Sequence, residues 1–195
     1  MKKNLSKESY NKRLFEGKNL RSILHISRFY WVINIIKKYS LNHNTVIELG
    51  CYDGKILDFL DQEPSKYLGL DANWENGLDL AALKYKNKKN INFKLINNPN
   101  QIKINQDDKY DLGICMETLE HIPPHMVCDY LYKLSKCING YLIITVPNEK
   151  GIFIDFLSIF LDDDYQLLKF QRNQISTIID IGANVGFFSL ASRFY

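Results

Sequence analysis

The sequence has no Cys-x-x-Cys pair, and its four cysteines, Cys51, Cys115, Cys128 and Cys137, do not form a plausible disulfide framework. Free thiols in a reducing compartment are expected, and with them a cytoplasmic chain. There is no run of about 18 apolar residues, so no membrane span is expected. No apolar stretch follows Met1-Lys2-Lys3, so a secretory signal is not expected either. An excess of one charge is also missing. The formal net charge is +3, and the cluster Lys84, Lys86, Lys88 and Lys89 reads as a solvated helix end, so nucleic acid is not an expected partner. What is present is ordinary. A composition of 46% hydrophobic and 24% charged residues belongs to a folded chain, not a disordered one. Its 195 residues can bury one full core, with an appendage.

Four segments are distinguishable: an N-terminal helical cap over 1–44, a core over 45–150, a helix and linker over 151–175, and a final stretch over 176–195. In residues 20–39, Ile23, Ile26, Tyr30, Ile33 and Lys37 fall near one helical stripe, which predicts an amphipathic helix. The polar residues 1–19 form either a short frayed helix or an arm that closes over a site. From Thr45 short apolar runs alternate with helical segments. Strands are predicted at Thr45–Leu49, Lys66–Asp71, Ile91–Ile96, Tyr110–Cys115 and Tyr141–Val146, with helices at Lys55–Leu60, near 75–86 and over about 125–137. Parallel neighbours need crossover connections, so this alternation predicts an α/β fold, doubly wound and mainly parallel, with helices on both faces. Ligands in such sheets lie at the carboxyl ends of the strands, where the strand order reverses.

The first strand-to-helix turn is Gly50-Cys51-Tyr52-Asp53-Gly54. Glycines suit a sharp bend that a ligand must approach closely. The spacing is not the G-x-G-x-x-G of dinucleotide-binding proteins, which disfavours a nicotinamide-dependent oxidoreductase. Asp71 ends the second strand, where a carboxylate can accept both hydroxyl hydrogens of a ribose.

Val46-Ile47-Glu48-Leu49-Gly50-Cys51-Tyr52-Asp53-Gly54 resembles motif I of class I S-adenosylmethionine (SAM)-dependent methyltransferases of the small-molecule type. Tyr67 to Asp71, Tyr110-Asp111 and Gly140 to Asn148 are similar to that family's second, fourth and fifth strands, in the same order. The resemblance implies a Rossmann-like domain that transfers methyl from SAM to a hydroxyl or other nucleophile of a small metabolite or glycan precursor. It implies that Glu48 and the backbone of Gly50, Cys51, Tyr52, Asp53 and Gly54 serve the methionine part of the cofactor. Asp71 would hold the ribose, Ala72 and Asn73 would lie beside the adenosine, and Met116 and Glu117 would face the cofactor. Where the family has a further glycine this chain has Tyr52, which either packs over the cofactor or lies on the surface beside the first helix. The competing expectation is a non-catalytic or truncated domain that binds the nucleoside cofactor or a partner.

Glu117-Thr118-Leu119-Glu120-His121-Ile122-Pro123 is similar to the E-x-x-E-H-I-P stretch of enzymes that methylate oxygen on small molecules or on small RNAs. The resemblance implies a divalent cation held by Glu117, Glu120 and His121, or catalysis by His121 with Glu120. His121 can also simply cap the turn after the strand, with Glu120 solvated. An imidazole titrates near neutrality and so suits a general base.

After Asn148 the usual final antiparallel strand pair is not evident, although Ile152 to Phe160 reads as a helix followed by the acidic Asp162–Asp164. Residues 176–190 then repeat the strand, glycine turn and helix pattern, resembling motif I of FkbM-like methyltransferases. A truncated tandem, a fused reading frame and an edge strand of the first domain are the alternatives, with truncation or fusion favoured.

Overall fold

The structure, a computed structural model, describes residues 10–17, 20–103, 109–146 and 178–181. Helices α1 (Tyr10–Glu16) and α2 (Leu20–Lys38) precede β1 (Thr45–Leu49). Next come β2 (Lys66–Asp71), α3 (Gly77–Lys84), β3 (Ile91–Leu95), β4 (Tyr110–Met116), α4 (Pro124–Lys136), β5 (Ile138–Thr145) and β6 (Ile178–Ile181). The six strands form one sheet in the order β3-β2-β1-β4-β5-β6, and every pairing among them is parallel. The order reverses between β1 and β4, so the switch point opens beside the glycine turn that follows β1.

Side chains alternate across a strand, so each strand feeds two cores. Ile47, Leu49, Leu70, Leu142 and Ile144 pack on one face with Val127, Leu131 and Leu134 of α4. Val46, Tyr67, Leu112, Ile114 and Ile143 pack on the other with Phe29, Val32, Ile33 and Ile36 of α2. The expected doubly wound α/β architecture is therefore present. Among the described residues no helix is long and apolar enough to cross a membrane, and all four cysteines are free and buried.

Three expectations are corrected. The segment after the glycine turn is one 3-10 turn, Lys55–Asp58, rather than a helix to Leu60. Asp58 there is drawn out to Lys55, Lys84 and the Tyr85 hydroxyl. In α2 the buried face is His25, Phe29, Val32, Ile33 and Ile36, whereas Ile23 and Tyr30 of the expected stripe are exposed. Apolar residues occur nearly all round this helix, so periodicity alone did not select the face that the sheet takes. Strand β5 begins at Ile138, three residues earlier than expected, because Tyr110 pairs with Ile138 before an irregularity in the β4–β5 register.

Residues 10–16 of the polar arm form α1, packed beside α2. Ile178–Ile181 pair in parallel with Leu142–Thr145 of β5 at the sheet edge. The expected helix at 152–160, the acidic 162–164 and the second glycine turn at 182–186 lie outside the described residues.

Candidate functional site

At the end of β1 the chain turns through Gly50, whose φ of 79° is in the left-handed region. The N–H groups of Gly50 and Cys51 donate to the Leu70 carbonyl at 2.7 and 3.3 Å, fastening the turn to β2. Tyr52 also has positive φ, 47°, a conformation that costs a non-glycine residue about 1 kcal/mol or more. Its N–H donates to Asp71 Oδ2 at 2.9 Å, and the other carboxylate oxygen accepts the Asn73 N–H at 2.6 Å. Asp71 therefore clamps the loop after β1 to the loop after β2. Asn73 in turn accepts the Leu78 and Asp79 N–H groups at 3.0 and 3.3 Å, starting α3.

The Tyr52 ring seats on Gly77, where a Cβ would come within 2.2 Å of Tyr52 Cδ2. Trp74 and Tyr10 flank it, and its phenol oxygen accepts the Tyr10 N–H at 3.0 Å. Tyr52 thus joins the glycine turn to α1 and α3. Asp53 Oδ1 accepts from Asn11 Nδ2 at 2.6 Å, and the Gly54 N–H closes the turn on the Cys51 carbonyl at 2.8 Å.

Glu48 is 2% exposed and accepts a hydrogen bond from the Tyr67 hydroxyl. Burial, reinforced by Asp71 and Asp53, pushes its pKa from an ordinary 4.5 up to about 8, against the opposing effects of the Tyr67 hydrogen bond and Arg28. From about pH 4.5 to 8 the unfolded chain is ionised here while the folded chain holds its proton. Stability is therefore lost as pH rises through that window, and the loss is complete above about 8. Glu48→Gln is expected to melt several degrees above the parent at pH 8 and close to it at pH 5. A constant difference between the two proteins from pH 5 to 8 overturns this assignment.

Met116 and Cys51 are buried at the inner wall of the site, and burial drives the Cys51 thiol pKa well up, so it stays protonated and unreactive. Ala72 is exposed. Glu117 follows β4 with φ 50°, its N–H directed to the Thr145 carbonyl and hydroxyl at 3.0 and 3.1 Å. The Thr145 hydroxyl donates to Glu117 Oε1 at 3.2 Å, while Glu117 Oε2 lies 3.8 Å from Arg28 Nη1. His121 closes a 3-10 turn and its side chain is 79% exposed, 3.8 Å from Glu120 Oε1. Among the described residues no group of three or more His, Cys, Asp or Glu side chains is arranged to hold a metal, so Glu117, Glu120 and His121 do not converge on one point.

Three residues escaped the sequence analysis. Arg28 projects from α2 to Glu117, its side chain only 19% exposed. Burial lowers its pKa, with Glu117 the largest opposing influence, and its buried Nε–H has no partner among the described residues. His25, 7% exposed, lies beside it, and Asn11, 4% exposed, contacts His25. The available signal was an arginine three residues after a histidine within an apolar helix.

A nucleoside cofactor with an amino-acid head needs a hydroxyl acceptor, a closely approachable backbone and a partner for its carboxylate. Asp71, Gly50 and the half-satisfied Arg28 fit these needs. A glycine turn at the switch point, clamped by an acid from the adjacent strand, places the chain among doubly wound α/β proteins whose ligands lie at the carboxyl ends of the strands.

Within that class, residues 25–176 match the family described as methyltransferase domain, and the chain belongs to that family. It is 29% identical over 93 residues to the ubiquinone biosynthesis O-methyltransferase of Hydrogenovibrio crunogenus, a match covering 47% of this chain and 38% of that protein. Magnesium protoporphyrin IX methyltransferase from Synechocystis PCC 6803, solved with SAH bound, is similar at a TM-score of 0.50 and 18% identity, covering 66% of this chain and 61% of that one. A SAM-dependent methyltransferase from Clostridium acetobutylicum has a TM-score of 0.46 and 17% identity, covering 57% and 45%. The chain thus spans less than half the length of the curated relative. The Synechocystis likeness establishes the fold.

Proposed function

We propose that the chain is a SAM-dependent methyltransferase acting on a hydroxyl or other nucleophile of a small metabolite or glycan precursor. The observation that carries this reading is the clamp of Asp71 on the Gly50–Gly54 turn, at the switch point of the sheet. SAM supplies a methyl group on a sulfonium, which needs mainly in-line placement of the acceptor.

The protein's own groups divide the binding work. Each Asp71 oxygen takes one backbone N–H and retains a lone pair for a ribose hydroxyl. Gly50 leaves the backbone open to close approach, with Cys51, Asp53 and Gly54 completing the turn and Tyr52 bracing it from behind. Ala72 and Asn73 border the adenosine, and Met116 and Glu117 form the wall from β4. Glu48 and Arg28 serve the amino-acid head, Arg28 through a charge-assisted bond to the carboxylate. Where the acceptor is a hydroxyl, the exposed His121, beside Glu120, takes its proton.

Calorimetric titration with SAM, S-adenosylhomocysteine (SAH) and NAD tests the reading. Binding of SAM and SAH but not NAD is expected, and no binding of either adenosyl compound overturns it. Incubation with labelled SAM and a panel of hydroxylated metabolites then identifies the acceptor. Arg28→Met is expected to weaken SAH binding about ten- to a hundredfold, the worth of a charge-assisted hydrogen bond. It should leave 5′-methylthioadenosine, which lacks the carboxylate, unaffected. Equal loss for both ligands removes Arg28 from the carboxylate subsite.

A further inference from the structure

Asn11 of α1 and His25 and Arg28 of α2 form a largely buried polar chain leading from the glycine turn to Glu117 at the end of β4. Asn11 Nδ2 donates to Asp53 Oδ1 at 2.6 Å, His25 Nε2 lies 2.7 Å from Asn11 Oδ1, and Arg28 Nη2 lies 3.1 Å from His25 Nε2. A carboxylate only accepts, so Asp53 dictates which end of the Asn11 amide faces it. The Asn11 oxygen must then face His25, and it needs a donor, which makes His25 Nε2 carry its hydrogen. An Nε2 that bears hydrogen cannot accept from Arg28. The guanidinium is held at contact distance yet left unsatisfied on that side.

The Arg28 guanidinium therefore lies between His25 and Glu117. Its Nε–H has no partner among the described residues, and Nη1 lies 3.8 Å from Glu117, too far for a hydrogen bond. A buried donor without an acceptor is costly, and the Nε–H of Arg28 is one, with the Glu117 carboxylate near the guanidinium only at ion-pair distance. Asp53 belongs to the turn that the SAM reading assigns to the cofactor, so on that reading the same turn sets the orientation of Arg28.

We infer that Asn11 and His25 are positioning residues, which fix the Arg28 guanidinium in the orientation that receives the carboxylate of the amino-acid head. This rests on the SAM reading above. Neither residue touches the ligand in this role; each acts through Arg28.

The test compares SAH with 5′-methylthioadenosine by calorimetry on the full chain, with thermal melts of every variant. His25→Phe and Asn11→Ala are expected to lower SAH affinity about tenfold, the loss of roughly one oriented hydrogen bond, and to leave methylthioadenosine within about twofold. His25→Gln, which retains an N–H for Asn11, is expected to recover most of the SAH affinity. In an Arg28→Met background His25→Phe should have no further effect on SAH binding, because the coupled partner is gone. A parallel loss of both ligands, unchanged SAH affinity, or an undiminished effect in the Arg28→Met background overturns the relay alone. If His25→Phe melts before it can be titrated, His25→Gln and Asn11→Ala decide between the same outcomes. Failure of the parent chain to bind either ligand overturns the SAM reading and the relay with it.

Discussion

Asp71→Ala is expected to lower SAM and SAH affinity at least about a hundredfold, on the order of 3 kcal/mol. Two losses combine. The ribose loses a charged acceptor, and such hydrogen bonds are worth about 1.5–3 kcal/mol. The site also loses its clamp, because the Tyr52 and Asn73 N–H groups donate to the two oxygens of this one carboxylate at 2.9 and 2.6 Å. Both donors belong to residues with positive φ, 47° and 62°, which relax once the carboxylate no longer holds them. Asp71→Asn keeps one oxygen acceptor and should fall between the parent and the alanine variant. The sheet itself, paired through β2, should remain folded. An Asp71→Ala protein that melts cooperatively and binds SAH within about threefold of the parent overturns the assignment.

Gly50→Ala is expected to be the most destabilising single change in the site, at about 2–4 kcal/mol, with cofactor binding lost. An added Cβ would stand 2.0 Å from Thr118 Oγ1 and 2.5 Å from its Cγ2, and the φ of 79° is itself unfavourable for alanine. Thr118 cannot easily yield, because its hydroxyl lies within hydrogen-bond distance of the Leu49 and Met116 carbonyls, at 3.3 and 3.0 Å. The added methyl group therefore drives apart the ends of β1 and β4, between which the switch point lies. Thr118→Ala in the same chain removes the two nearest clashing atoms but leaves Cβ at 2.8 Å, so partial recovery of Tm is expected. A Gly50→Ala protein with the parent's Tm is the contrary result.

Much of the candidate site's backbone geometry was legible because its signals are local. Gly50 and Gly54 both have the left-handed φ that their place in a tight turn suggested, and Asp71 stands at the strand end where the alternation put it. Neighbouring residues encode strand period and turn chemistry directly. Tyr52 was not legible in this way. Its ring is placed by Gly77 and Trp74 in the next crossover and by Tyr10 in α1, none of which a motif centred on the first turn includes. His121 stood in a suggestive run of acids, yet its side chain faces solvent while Glu117 turns inward to Thr145 and Arg28. One backbone residue with φ 50° at Glu117 separates those directions, and residue type does not report it.

The amino-acid order alone determined the alternation of strands and crossovers, the parallel sheet, the turn at Gly50 to Gly54 and the acid that follows it. The closed chain decided which face of α2 is buried, where Arg28 points, and that Asn11 meets Asp53 across 42 positions. Periodicity and turn preference are set by each residue and its near neighbours. A buried polar partner exists only after distant segments exclude water together, and that is a property of packing.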